Sequence, residues 1–176
     1  MKKVITMLVV LSGFCFSQTG MVTDSGFGVW LNTRAYNIEY TDADPYYNLT
    51  LGYMMDNGLE MSIDYGLDDV TDGIINLDVN YHLNKHESLA WMFGINLLDV
   101  QEEWGEMNTV LNVGGYTSGL IHFGLEYDVD DTDFEFLILN VGKMWDFGNF
   151  SLGAGYRLWT EEPDEGWVTI SLGGTF

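Results

Sequence analysis

Residues 167–176, WVTISLGGTF, alternate apolar with small or polar side chains over ten positions without a break. Successive side chains of a strand point to opposite faces. Val168, Ile170, Leu172 and Phe176 therefore fall on one side with Gly174 in phase, and Thr169, Ser171, Gly173 and Thr175 fall on the other. Such a segment is a strand that is greasy on one face and wet on the other, and the rest of the chain repeats it.

Reading for this period of two gives ten candidate strands: 27–40, 45–55, 59–66, 74–83, 89–98, 108–116, 119–128, 134–145, 149–159 and 167–176. Their lengths suit a tilted membrane strand, which needs about 9 to 11 residues. The connections alternate between two kinds. Short ones are Asp56-Asn57-Gly58, a strong tight-hairpin signal, then residues 84–88, Thr117-Ser118 and Asp146-Phe147-Gly148. The others are mostly longer and acidic, at 41–44, 67–73, 99–107, 129–133 and 160–166. Short turns at one end and long loops at the other is the asymmetry of an outer-membrane barrel, with the acidic loops outside. An eight-stranded count is the alternative, and the glycine-crowded pair 108–116 and 119–128 is where two segments would be demoted.

The amino-terminal stretch agrees with that destination. Lys2 and Lys3 precede an apolar run from Val4 to Phe16, and residues 15–17 carry small side chains at the two positions a signal peptidase reads. The expectation is a cleaved signal over 1–17 and a single barrel domain over 18–176. The apolar run is too short for a spanning helix, which needs about 20 residues. A lipidated Cys15 fits poorly, because Phe14 stands where a small residue is wanted. Removing the segment removes the only cysteine, so disulfides and thiolate metal sites are excluded from the remainder.

What remains carries four basic residues against 27 acidic ones, which excludes nucleic acid as a partner. Acidity of this degree usually signals disorder, but 47% hydrophobic and 15% aromatic residues argue against it. The apolar sets, such as Leu49, Leu51 and Tyr53, or Trp91, Phe93 and Ile95, are uniformly large and rich in aromatics near strand ends. Their alternates are Gly, Asn, Ser and isolated charges. A soluble β-domain would turn the greasy face inward. The near absence of Lys and Glu pairs, the usual cover of a solvated sheet, favours lipid outside and a tight polar interior.

At this point the chain resembles the small bacterial outer-membrane β-barrel proteins, eight- to ten-stranded members of the porin-like superfamily. The motif is the terminal strand: Val168, Ile170, Leu172 and Phe176 look like the carboxy-terminal signal read by the barrel-assembly machinery. The resemblance implies an all-β, up-and-down antiparallel transmembrane barrel. It implies residence in the cell outer membrane, contact with outer-membrane lipid, a monomeric state and no cofactor.

The inward set holds the one constellation with chemical interest. Arg157, Glu60, Asp64, Asp78 and Glu126 are expected to face the lumen, as is Arg34, although the apolar phase of the first strand slips between Leu31 and Tyr36. Pairing Gly66 with Ile74 sets Asp64 opposite Asn76 and Ser62 opposite Asp78. Charges in a narrow interior must be paired or wetted, so the expectation is an internal network that plugs the barrel. The alternative is a narrow lane for small solutes, weakly cation-preferring, since about eight strands leave room only for side chains and ten leave little more. Lys143 is ambiguous, because it shares strand parity with Leu137, Leu139 and Val141.

Enzymes of this class place a base near the external rim or a Ser-His pair on the wall. His82, His86 and His122 all fall toward the short-turn end instead, so no catalytic residue is expected. Asp68, Asp69 and Asp72 in one loop, and Asp128, Asp130, Asp131 and Asp133 in another, are candidates for attracting divalent cations. Neither group has the spacing of a helix-loop-helix calcium site.

Overall fold

The structure is a computed structural model that describes residues 25–35, 46–67, 73–100, 107–129, 137–148, 150–160 and 166–176, without the side chains of residues 34, 35, 46 and 159. The expected signal over 1–17 and most of each acidic connection lie outside the described residues. Ten strands follow one another in the chain: β1 (Gly26–Ala35), β2 (Tyr46–Met54), β3 (Leu59–Gly66), β4 (Ile75–Leu83), β5 (Leu89–Leu98), β6 (Asn108–Thr117), β7 (Ile121–Asp128), β8 (Leu137–Asp146), β9 (Ser151–Trp159) and β10 (Trp167–Thr175). Each pairs antiparallel with its neighbours in sequence, and β1 pairs with β10, which closes the sheet into an up-and-down barrel. Closure removes both free edges, so every strand has its hydrogen-bonding partners on each side.

The eight-stranded alternative is excluded. β6 and β7 are distinct strands whose ladder runs from Val110↔Asp128 to Tyr116↔His122. The Leu120 N–H, at the turn between them, donates to the Thr117 carbonyl at 2.8 Å, and Leu120 takes a φ of 57°. At the β2–β3 turn Gly58 adopts φ 88°, a region that a β-carbon disfavours, and a β-carbon there would also collide with the His82 backbone carbonyl. The Asn57 side chain completes that hairpin by accepting from the Leu59 N–H at 3.1 Å.

The wall is inside out relative to a soluble domain. Among the described residues thirty-three large hydrophobic side chains are exposed and eleven hydrophobic ones are buried. The alternation is regular: Met61, Ile63 and Tyr65 of β3 point out, whereas Glu60, Ser62 and Asp64 are buried between them. Contiguous apolar surface larger than a few hundred Å² is rare on soluble monomers. In hydrocarbon the same surface carries no hydration cost, and a strand wall with every backbone group paired is one of two architectures that can stand there.

The interior is not uniformly polar, and here the simple greasy-out, polar-in expectation needs amending. Met54, Ala90, Met92, Tyr116 and Met144 are buried toward the short-turn end, and Ile74, Leu98, Val110, Ile138 and Trp167 toward the other. Buried Asn, Ser, Thr and charged side chains are interleaved with them, Glu60 opposite Met54, His82 opposite Met92 and Arg157 opposite Trp167. Glycines make the room: a β-carbon on Gly173 would run into the indole of Trp30, its ladder partner, and one on Gly94 into the amides of Asn80 and Asn112. Small residues opposite large ones let a narrow barrel fill its own centre.

Candidate functional site: the barrel interior

Glu60, Asp64, Asp78, Glu126 and Arg157 are each at most 2% exposed. They fall into two groups on opposite stretches of the wall. On β7, β8 and β9, the Arg157 guanidinium donates to Glu126 Oε2, and the Asn140 amide donates to Glu126 Oε1 at 3.2 Å. Arg157 and Asn140 are ladder partners, so the guanidinium crosses the intervening strand β8 beside the Asn140 amide to reach Glu126. This is a fully buried ion pair with an amide holding the second carboxylate oxygen.

The second group spans β1 to β6. Thr50 links two strands by accepting from the Asn32 amide at 2.8 Å and donating to Asp64 Oδ1. Ser62 donates to Asp78 at 3.4 Å, its direct cross-strand neighbour, and Asp64 stands opposite Asn76. Asn76 accepts from the Asp99 N–H at 2.8 Å, which fixes the backbone leaving β5. Asn112 donates to Asn80 at 3.1 Å, and with the Asn96 amide turned over, Asn96 donates to Asp78 Oδ1 at 3.0 Å and accepts from Asn112 at 3.2 Å. The buried amides and hydroxyls thus form a ladder across β1 to β6 that carries the carboxylates.

Toward the short turns the ladder ends in a histidine. His82 Nε2 lies 2.8 Å from Glu60 Oε2 and His82 Nδ1 lies 3.3 Å from the Tyr116 hydroxyl, with all three side chains buried. His122 is buried on β7, its ring filling the space over Gly142, and His86 is exposed in the 84–88 turn. All three histidines lie toward the short-turn end and none toward the long connections. Among the described residues no three His, Asp or Glu side chains converge as a metal site.

Other expected residues are placed differently. Arg34 sits in β1 opposite Thr169 and Tyr46, with its side chain outside the described set. Asp128 is not part of an outer loop: it is the last residue of β7, opposite Val110, and only 9% exposed. Strand parity turns it inward with His122, Gly124 and Glu126. Asp68, Asp69, Asp72, Asp130, Asp131 and Asp133 lie outside the described residues. Lys143 resolves to the outward face. Val168, Ile170, Leu172 and Phe176 all point outward, and Phe176 exchanges both backbone hydrogen bonds with Phe27, at 2.7 and 3.1 Å, where β10 meets β1.

Sequence reading missed the inward apolar layers and the His82–Tyr116 contact. Parity held the signal for the first: Met54 is in phase with Asn48 and Thr50, Met92 with Gly94 and Asn96, and Trp167 with Thr169 and Ser171. Nothing local marks the second, because β4 and β6 are separated by a strand.

The described strands form a closed ten-stranded wall, apolar outside and largely polar inside, which is the general form of a strand-built membrane wall. No family model and no curated protein matches the chain. Among solved structures it is similar to the N-terminal β-barrel domain of Pseudomonas aeruginosa OprF, with 16% identity, 87% of this chain and 98% of that one covered, and a TM-score of 0.43.

Proposed function

We propose that the protein is an integral, non-catalytic barrel of the bacterial outer membrane, with a structural or surface-interaction role and its acidic connections on the external side. The observation that supports this reading is the combination of an exposed apolar belt with inward polar side chains that are buried among the described residues. The polar lining of a conducting lumen would be wetted, whereas here Asn32, Asp64, Asn76, Asn96, Glu126 and Ser171 are inaccessible. Large buried side chains such as Met54 and Met92 toward one end, and Leu98, Ile138 and Trp167 toward the other, fill further space in the interior. The partners that suit this role are outer-membrane lipid, the barrel-assembly machinery at the terminal strand and divalent cations at the acidic rim, with the chain acting as a monomer.

Conductance of the purified protein in a planar lipid bilayer tests the closed interior. Silence is expected. Discrete cation-selective steps would replace this reading with a narrow channel lined by Glu60, Asp64 and Asp78. Envelope location is checked separately by heat-modifiable gel migration of the protein in outer-membrane fractions.

A further inference from the structure

Beyond residue 17 the chain has four basic residues: Arg157 lies in the buried ion pair, Lys85 in a short turn is bonded to Ser25 at 3.1 Å and the Met55 carbonyl at 3.4 Å, and the side chain of Arg34 lies outside the described residues. Lys143 is the fourth. It is exposed on the outward face of β8, its ammonium lies 5.8 Å from the centroid of the Trp145 ring, and neither ion pair among the described residues includes it. Its ladder partners are Ile121, the first residue of β7, and Ala154. Lys143 therefore sits at the short-turn rim of the apolar belt, where a cation can reach lipid headgroups while its stem lies along hydrocarbon.

The wall next to it is shaped. Ala154 contributes only a methyl group beside the lysine. One step further from the rim, Val141 is flanked by Phe123 and Tyr156, and these three, with Leu139 and Trp91, line an outward groove of about 550 Å³. On the rim side Trp145 is exposed, and Phe147 and Phe150 stack at 5.0 Å in the following turn. An unpaired cation, an interfacial indole and an apolar groove leading away from the rim match the three parts of a phospholipid: phosphate, glycerol region and acyl chain.

We propose that Lys143, Trp145 and the Phe123–Val141–Tyr156 groove form a binding site for one anionic glycerophospholipid, with its phosphate on the Lys143 ammonium and an acyl chain in the groove. The inference rests on the membrane-barrel reading above. Charge complementarity selects the occupant, because Lys143 is a basic side chain on the outward face of a described strand in a chain that is otherwise strongly acidic.

The test is native mass spectrometry of the full-length barrel released from bilayers of equal phosphatidylglycerol and phosphatidylcholine. The expected result is preferential retention of one phosphatidylglycerol, reduced roughly fivefold in Lys143→Gln and restored in Lys143→Arg. Equal retention of the two lipids, or unchanged retention in Lys143→Gln, would overturn the site. Heat-modifiable migration of the same samples monitors insertion independently. Inserted protein without lipid preference removes the site alone, whereas protein that never inserts removes the membrane reading and the site with it.

Discussion

Arg157 on β9 reaches over β8 to Glu126 on β7, and both side chains are buried to 1% exposure or less. A buried ion pair is held together less by its net worth than by the cost of breaking it. Removing one partner strands the other charge away from water, at about 3–5 kcal/mol, whereas replacing both with apolar groups of similar volume is often neutral. Arg157→Met alone is therefore expected to lower the urea midpoint sharply, because the buried Glu126 carboxylate would lose its guanidinium partner. Arg157→Met with Glu126→Leu should recover most of the loss. Tryptophan fluorescence during urea unfolding in lipid vesicles measures both, and an additive double mutant would show that the pair is not energetically coupled.

Gly94 tests how tightly the amide ladder is packed. A β-carbon at this inward position would overlap Asn80 and Asn112, and Asn112 is already committed to Asn80 and Asn96. Overpacking a filled interior costs about 1–3 kcal/mol. Gly94→Ala should thus destabilise the barrel in the same urea assay, and adding Asn80→Ser should return part of it by shortening the side chain in the way. No change in Gly94→Ala would mean that the interior is loosely filled and the closed-lumen reading is weak.

These two cases mark what sequence does and does not reveal in such a fold. Strand number, the alternation of turn classes and the register of Asp64 with Asn76 follow from period and turn chemistry, because a one-residue slip would turn every Leu and Phe of a strand to the wrong face. That Glu126 meets Arg157 does not follow. The two residues share no ladder, and their contact depends on how far a guanidinium extends across the intervening strand. The inward methionines and tryptophans were masked for another reason: the contrast between faces is set by the strand middles, and strand ends such as Met54 and Trp167 carry apolar side chains on both.

Leu51, at the middle of β2 and 50% exposed, distinguishes lipid from water outside the wall. On the surface of a soluble barrel, Leu51→Arg would change stability by at most about 0.5 kcal/mol. Facing hydrocarbon near the bilayer midplane, an arginine costs about 2–4 kcal/mol. The expected outcome is a clear loss of vesicle-inserted, heat-modifiable protein at a given urea concentration. Insertion equal to that of the unsubstituted protein would contradict the apolar belt's assignment to lipid.

Phe176 combines two roles that separate variants can divide. Its backbone closes the β1–β10 seam through two hydrogen bonds to Phe27, while its side chain, 78% exposed, projects from the rim without contributing to the interior. Deleting the residue removes both bonds, worth about 0.5–1.5 kcal/mol each, and should lower stability in vesicles accordingly. Phe176→Ala keeps the backbone bonds, so folding into vesicles of pure lipid should be nearly unchanged. If the terminal aromatic ring is what the assembly machinery reads, Phe176→Ala should nevertheless reduce the folded protein recovered from outer membranes of expressing cells. Physical closure and recognition then give different patterns: deletion impairs both assays, and the alanine variant impairs only the cellular one. Full recovery of Phe176→Ala from cells would remove the side chain from the assembly signal and leave Val168, Ile170 and Leu172 to carry it.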